Sequence, residues 1–133
     1  MRHKILVVDD TREIREFVAD VLKIWGYEVS TAVDGYGAVD QFELDKPDML
    51  ITDLMMPRMD GYELCQIIRR SSSVPIVVMT ALRGDEGAFE AFKAGADAFV
   101  PKPIDLGGFQ IQVGALLTGT DPTAPKGGEV PAN

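Results

Sequence analysis

Two patterns of apolar residues alternate along the chain. Runs of strand length at Lys4–Val8, Met49–Thr52 and Val74–Thr80 are nearly continuous in apolar residues, as in buried parallel strands. Tyr27–Ala32 alternates apolar and polar residues, which predicts a less buried strand, and Ala98–Val100 predicts a short fifth strand. The intervening segments have the apolar period of helices, at Arg12–Trp25, Asp34–Leu44, Tyr62–Arg70, Asp85–Ala94 and Leu106–Leu117.

This alternation predicts an α/β fold. Successive strand–helix units with right-handed crossovers form a parallel sheet that carries helices on both faces. We therefore expect a doubly wound, five-stranded parallel sheet, with the mixed second strand at an edge. Among the apolar residues assigned to helix faces that pack on the sheet are Phe17, Phe89, Phe92 and Leu106.

The last helix contains three glycines, Gly107, Gly108 and Gly114. A glycine inside a helix costs up to about 1 kcal/mol relative to alanine. We therefore expect this helix to be short, frayed or mobile, which argues against strong dimerisation through it.

Length and charge limit the classes of function. A chain of 133 residues fits one domain, which we place at residues 1–118, and residues 119–133 have the composition of a disordered tail or linker. No apolar run reaches the roughly 20 residues that span a bilayer. The net charge of −8 argues against direct binding to nucleic acid. One cysteine, Cys65, excludes an internal disulfide and fits a reducing compartment, so we expect a cytoplasmic protein.

Carboxylates follow two of the apolar strands. Asp9 and Asp10 end the first, and Asp53 ends the third. The carboxyl ends of parallel strands meet at one edge of the sheet, where three acids would repel one another without a cation. Oxygen ligands with no histidine or cysteine near them in sequence favour Mg²⁺ or Mn²⁺ over zinc. Asp10 taken alone is equally compatible with an exposed helix N-cap.

Two further polar residues reach the same edge. Thr80 ends the fourth strand, and Lys102 follows the fifth. A threonine that ends a strand is usually structural, and a lysine before a proline is usually a solvated turn residue. With three acids on neighbouring strand ends, an ion pair of Lys102 becomes the better interpretation.

Four segments, in order, resemble the motifs of two-component receiver domains. Ile5–Asp10 resembles their opening and Ile51–Gly61 their phosphorylation-site signature. Val77–Ala81 resembles the strand that bears their hydroxyl, and Gly95–Pro103 resembles their closing motif. The resemblance covers about residues 3–117, and the conjunction of all four motifs is far more specific than the acid pair alone.

The resemblance implies a flavodoxin-like (βα)5 fold with strand order 2-1-3-4-5. It implies that Asp53 accepts a phosphoryl group from a phosphohistidine on a sensor histidine kinase or phosphotransfer protein. The metal ligands would be Asp10, Asp53 and the backbone carbonyl of Met55, with Asp9 acting largely through metal-bound water. Mg²⁺ is the expected cofactor, and Mn²⁺ can substitute for it. Lys102 and Thr80 would contact the phosphoryl group, and a cis Lys102–Pro103 bond is implied as well.

The family also implies how the signal leaves the domain. Thr80 would shift toward the phosphoryl group, and the aromatic residue of the fifth strand, Phe99, would turn inward. Phenylalanine retains the packing part of such a switch but lacks a hydroxyl; the simpler interpretation is that Phe99 is core. A downstream protein would bind the face formed by helix four, strand five and helix five. We expect a monomer or a weak, phosphorylation-dependent dimer.

Other functions fit the residues less well. A metal-dependent phosphatase or phosphotransferase with an aspartyl nucleophile would need an acid at the position of Met55, so we expect no enzymatic turnover beyond self-phosphorylation and slow self-dephosphorylation. A flavodoxin-like cofactor binder would need a phosphate loop after strand one, where Asp9–Arg12 stands. A degenerate receiver is disfavoured by the intact site. We expect apolar Met55 and Leu82 to hinder an attacking water. The chain shows no output domain after Leu117, and it fits either a stand-alone regulator or the receiver of a longer protein.

Overall fold

Five strands alternate with five helices in the computed structural model of this chain, which describes residues 2–82 and 84–119. The strands are β1 (Lys4–Val8), β2 (Glu28–Ala32), β3 (Met49–Asp53), β4 (Ile76–Thr80) and β5 (Ala98–Pro101). The helices are α1 (Arg12–Ile24), α2 (Gly35–Asp45), α3 (Gly61–Arg69), α4 (Gly84–Lys93) and α5 (Leu106–Thr118).

The strands form one parallel sheet in the order β2-β1-β3-β4-β5. Val8 of β1 aligns with Thr52 of β3, and Asp53 aligns with Met79 of β4. The carboxyl ends of the three central strands are therefore level with one another. This confirms the predicted doubly wound sheet and its strand order.

Alternate side chains of the central strands build a core on each face of the sheet. Leu6 and Leu50 pack with residues of α2, α3 and α4, whereas Ile5 and Ile51 pack with residues of α1 and α5. Every residue of β3 and β4 is buried. Burial of each large aliphatic side chain contributes about 1.5–3 kcal/mol, so the central strands are the most firmly held part of the sheet.

Several element boundaries differ from the sequence-based ones. β4 begins at Ile76 rather than Val74, because Pro75 has no N–H to donate to the ladder. The carbonyl of Pro75 still accepts a hydrogen bond from the Leu50 amide, at 3.0 Å. Asp60 is the N-cap of α3, since its carboxylate accepts a hydrogen bond from the Glu63 amide at 2.9 Å.

The prediction of a short or frayed α5 was wrong. The helix runs without interruption from Leu106 to Thr118. Phe109 and Val113 are buried against the sheet, and the rings of Phe109 and Trp25 lie 5.7 Å apart. Packing of this inner face outweighs the low helix propensity of the glycines.

Four apolar side chains that the helical pattern assigned to packed faces are largely exposed. The exposed fractions are 48% for Phe17, 64% for Phe89, 55% for Phe92 and 40% for Leu106. In α4 the buried residues are the small Gly87 and Ala91, one helical turn apart. The helix therefore lies close to the sheet along that face, and Phe89 and Phe92 fall outside it.

The structure bears on two further expectations, the absence of a membrane-spanning segment and the tail. Within residues 2–82 and 84–119, every helix is too short or too polar to cross a bilayer. The predicted tail, residues 119–133, lies outside the described residues except for Gly119.

Candidate functional site

The three predicted acids meet at the carboxyl edge of the sheet. Carboxylate oxygens of Asp9, Asp10 and Asp53 all lie within 4.8 Å of one another. Asp9 is fully buried and Asp53 is 6% exposed, while Asp10 faces solvent. Two of the three charges have thus been removed from water, which is costly unless they are paired.

Lys102 is the partner of both buried acids. Its Nζ donates a hydrogen bond to Asp9 Oδ2 at 3.0 Å and another to Asp53 Oδ2 at 2.8 Å. Burial opposes the charge on the ammonium group, but the hydrogen bonds to Asp53 and Asp9 and the negative charges of these acids together outweigh it and raise the pKa of Lys102. The side chain therefore stays protonated and fixes the two carboxylates relative to each other. The bond from Lys102 to Pro103 is cis, as the resemblance implied.

Each buried carboxylate is also held by its own loop. Asp9 Oδ1 accepts a hydrogen bond from the Thr11 amide at 2.9 Å, and Asp53 Oδ1 accepts one from the Met55 amide at 3.1 Å. One oxygen of each acid thus points to Lys102 and the other to the backbone after the strand. This two-point attachment fixes the direction in which both carboxylates face.

The chemistry of the cluster fits a hard divalent cation. Within residues 2–82 and 84–119, the ion pairs of these acids are those of Asp9 and Asp53 with Lys102, which leaves an excess of negative charge at an edge that Asp10 opens to water. Mg²⁺ prefers oxygen ligands and retains several waters, so such a partly exposed, all-oxygen set suits Mg²⁺ or Mn²⁺. Within the described part of the chain, this is the group of three acids placed closely enough to share an ion.

Thr80 is buried at the end of β4, next to the strand that leads to Lys102. Its hydroxyl accepts a hydrogen bond from the Leu82 amide at 3.2 Å, and its carbonyl accepts one from the Lys102 amide at 2.9 Å. The backbone thus joins the threonine to the lysine that holds Asp53. Its predicted position at the same edge is confirmed, and its role stays a prediction.

Phe99 of β5 is half-buried, and its ring lies against α4 at Gly87. A Cβ atom at position 87 would lie 2.6 Å from the ring carbon Cζ of Phe99 and 2.6 Å from the Leu82 carbonyl oxygen. Glycine is therefore what allows α4, the β4–α4 loop and the aromatic ring to meet. The Phe99 ring and the Leu82 carbonyl thus border the same position on α4, and the role of Phe99 as a switch stays a prediction.

The structure adds an apolar groove that the sequence did not reveal. It has a volume of about 520 Å³ and is lined by Ile14 and Phe17 of α1 and by Lys102, Pro103 and Ile104 after β5. The helical period assigned Ile14 and Phe17 to the same core-facing stripe. The apolar period of a helix does not show which of its residues extend beyond the edge of the sheet, so no signal in the sequence could have found the groove.

The fold and this edge define a class of protein, a doubly wound α/β domain that gathers three acids and a lysine at the carboxyl edge of its sheet. The sequence model of the response regulator receiver domain matches residues 5–113. The chain therefore belongs to the response regulator receiver family of two-component signalling systems, and the resemblance drawn from its motifs is confirmed.

Curated relatives are similar over nearly all of this chain. A probable transcriptional regulator of Cyanophora paradoxa, ycf27, is 39% identical over 120 residues, which is 90% of this chain and 50% of the relative. The response regulator MprA of Mycobacterium bovis is 42% identical over 123 residues, or 92% of this chain and 54% of the relative. This chain thus spans about half the length of these relatives.

Solved structures show the same fold. The chemotaxis protein CheY4 of Vibrio cholerae superposes with a TM-score of 0.80 at 31% identity, covering 87% of this chain and 99% of that one. A putative response regulator of Chloroflexus aurantiacus gives a TM-score of 0.84 at 33% identity, covering 89% and 99%.

Proposed function

We propose that Asp53 accepts a phosphoryl group from a phosphohistidine of a sensor histidine kinase or phosphotransfer protein. The observation that carries this proposal is the pairing of Lys102 with both Asp9 and Asp53 at the edge of the sheet. This pairing places the buried carboxylate of Asp53 beside the ammonium group of Lys102, within a cluster of acids suited to a divalent ion.

The reaction forms one bond and breaks one. A carboxylate oxygen of Asp53 attacks phosphorus while the P–N bond to the donor's imidazole breaks. The electron pair stays on that nitrogen, and the imidazole departs neutral when its other ring nitrogen carries a proton. Such transfers depend mainly on alignment and on neutralisation of charge, which is what fixed residues can supply.

Lys102 and Thr80 supply part of that neutralisation. Lys102 Nζ, now bonded to Asp9 and Asp53, can donate to a phosphoryl oxygen once the phosphoryl group is on Asp53. The hydroxyl of Thr80 can donate to another phosphoryl oxygen. Both residues are held by the hydrogen bond between the Lys102 amide and the Thr80 carbonyl, so they act from one side of the site.

Mg²⁺ would be held by Asp9, Asp10, Asp53 and the backbone carbonyl of Met55, and when bound it supplies positive charge for the incoming phosphoryl oxygens. Asp10 is the exposed member of the set, so it is the ligand most open to water. Asp9, which is buried and bonded to Lys102, would act largely through a water on the ion.

We propose that the phosphodonor protein docks at the groove lined by Ile14, Phe17, Pro103 and Ile104. Lys102 lines this groove and also contacts Asp53, so the groove is continuous with the phosphorylation site. A protein whose apolar surface fills the groove would bring its histidine to the edge of the sheet. Burial of the half-exposed Phe17 would stabilise that complex.

Signal output is proposed to pass through Phe99. Movement of Thr80 toward a phosphoryl group would displace the Leu82 amide, which donates a hydrogen bond to the Thr80 hydroxyl. The Leu82 carbonyl and the Phe99 ring both border Gly87 of α4, so a displaced Leu82 would change the space available to the ring. A downstream protein would then bind the α4-β5-α5 face. The domain would act as a monomer or a weak, phosphorylation-dependent dimer, without direct contact to nucleic acid.

The domain is proposed to catalyse no turnover apart from its own phosphorylation and slow loss of the phosphoryl group. Met55, which is 65% exposed, and Leu82 carry no group that could orient an attacking water. The phosphoryl group should therefore persist.

Incubation with Mg²⁺ and acetyl phosphate, followed by intact mass spectrometry, tests the proposed function. We expect the mass of one added phosphoryl group, none in Asp53→Asn, and none when a chelator removes Mg²⁺. Asp60→Asn is the matched control: Asp60 caps α3 from the same loop, and asparagine also serves as an N-cap. Uptake by Asp53→Asn equal to that of the wild type would contradict the assignment.

A further inference from the structure

The loop between β3 and α3, residues 54–60, has its two ends in contact with each other next to Asp53. Gly61 donates its amide to the Leu54 carbonyl at 2.9 Å, and a Cβ atom at Gly61 would lie 2.2 Å from the Asp53 carbonyl oxygen. Met55 is the second residue of this loop. Its shape therefore sets where the Met55 backbone lies relative to the Asp53 carboxylate.

Two side chains of this loop attach it to the start of α2. Met59 is buried against Gly35, where a Cβ atom would lie 2.5 Å from the Met59 sulfur. Arg58 forms an ion pair with the carboxylate of Asp34. Asp34 is 7% exposed and caps α2 by accepting a hydrogen bond from the Gly37 amide at 2.8 Å. That hydrogen bond and the nearby Arg58 charge outweigh burial and lower the pKa of Asp34.

Arg58 is an unexpected residue for its backbone conformation. Its φ angle is +69°, in the left-handed region that favours glycine. Elsewhere in residues 2–82 and 84–119, Lys46 at the end of α2 is the other non-glycine residue with a positive φ. The arginine side chain is 64% exposed, so its ion pair is expected to add little to the stability of the fold.

We propose that Arg58 is a positioning residue, which uses its ion pair with Asp34 to hold the β3–α3 loop so that Met55 and Asp53 are arranged for Mg²⁺ and phosphoryl transfer. The inference rests on the proposed function. It explains why a strained position carries arginine: glycine would relieve the backbone but would leave Met59 as the remaining attachment of the two described here between the loop and α2.

The test compares Arg58→Gly with Asp34→Asn, which retains an N-cap. The two substitutions change the net charge in opposite directions. A long-range electrostatic effect would therefore strengthen Mg²⁺ binding in one and weaken it in the other, whereas a released loop weakens it in both. Lys46→Gly is the matched control, because it relieves the same kind of backbone strain away from the site.

Mg²⁺ affinity is measured by calorimetry without a phosphodonor, and amide hydrogen exchange is followed over residues 54–60. We expect Arg58→Gly and Asp34→Asn each to weaken Mg²⁺ binding about 3- to 10-fold, less than the 10- to 100-fold typical of groups bonded directly to a metal ligand. Exchange in the loop should become faster in both. The melting temperature of metal-free Arg58→Gly should not fall, and Arg58→Lys should restore most of the affinity.

The inference is overturned if Arg58→Gly binds Mg²⁺ as the wild type does, if the two variants shift in opposite directions, or if Lys46→Gly weakens binding equally. Phosphorylation by acetyl phosphate separates this from the proposed function. A wild type that binds Mg²⁺ but takes up no phosphoryl group overturns phosphorylation, and the Arg58 inference is then decided by calorimetry and exchange. A wild type that binds no Mg²⁺ overturns both.

Discussion

At the scale of single residues, the site depends on one lysine shared between two buried carboxylates. Lys102 forms an ion pair with both Asp9 and Asp53, and a buried carboxylate without such a partner is costly to the fold. The negative charge of Asp10 is left beside them at the solvent side. The edge can thus attract a divalent cation.

The lifetime of the phosphoryl group should depend on Met55. In Met55→Asn, the amide could hydrogen-bond and orient a water, and a bond worth about 1.4 kcal/mol in the transition state accelerates hydrolysis about tenfold. Loss of the phosphoryl group from purified protein is followed by intact mass after removal of the donor. Met55→Leu, which keeps the position apolar, is the control. Equal rates in the wild type and Met55→Asn would contradict the proposed shielding.

At the scale of elements, α4 and α5 show how packing decides what propensity leaves open. Both contain glycines, but those glycines meet different surroundings. A Cβ atom at Gly87 would contact the Leu82 backbone and the Phe99 ring, whereas one at Gly114 would meet nothing within 4 Å. Gly87 therefore serves close packing, and Gly114 has no contact that requires glycine.

Alanine substitutions at these two glycines should have opposite effects on stability. Gly87→Ala should destabilise the domain by about 1–3 kcal/mol, because α4 must move away from β5. Gly114→Ala should stabilise it by up to about 1 kcal/mol through helix propensity. Denaturant unfolding measures both. NMR chemical shifts of Gly87→Ala should change around Phe99 and along α4 if these elements are coupled, and shifts confined to the substituted turn would argue against the proposed switch.

At the scale of the whole molecule, a metal that binds only the folded state raises its stability. Mg²⁺ at ten times its dissociation constant should add about 1.4 kcal/mol, or roughly 3–7 °C in melting temperature for a domain of this size. Asp10→Asn should reduce this response, since it removes the exposed member of the acid cluster.

The matched control for the Mg²⁺ response is Asp20→Asn, which removes an exposed acid of α1 outside the cluster and should leave the response intact. A melting temperature that does not change with millimolar Mg²⁺, or one that responds equally in both variants, would show that the acids do not bind the ion specifically.

The sequence by itself determined how strands and helices alternate along the chain and which residues gather at one edge of the sheet. It could do so because buried parallel strands are continuous apolar runs and because parallel strands all end at the same edge. Asp9, Asp53, Thr80 and Lys102 were therefore identifiable from their positions after strands. The resemblance to receiver domains supplied the strand order and the expected roles.

Tertiary structure alone decided which side chains bond to one another across the fold and which are exposed to solvent. The hydrogen bonds of Lys102 and the ion pair of Arg58 with Asp34 join residues far apart in the chain. The exposure of Phe89 and Phe92 likewise depends on how α4 packs on the rest of the domain. Periodicity fixes only the face of an element on which a residue lies. The distance between elements, and therefore what each face meets, depends on how all the side chains pack together.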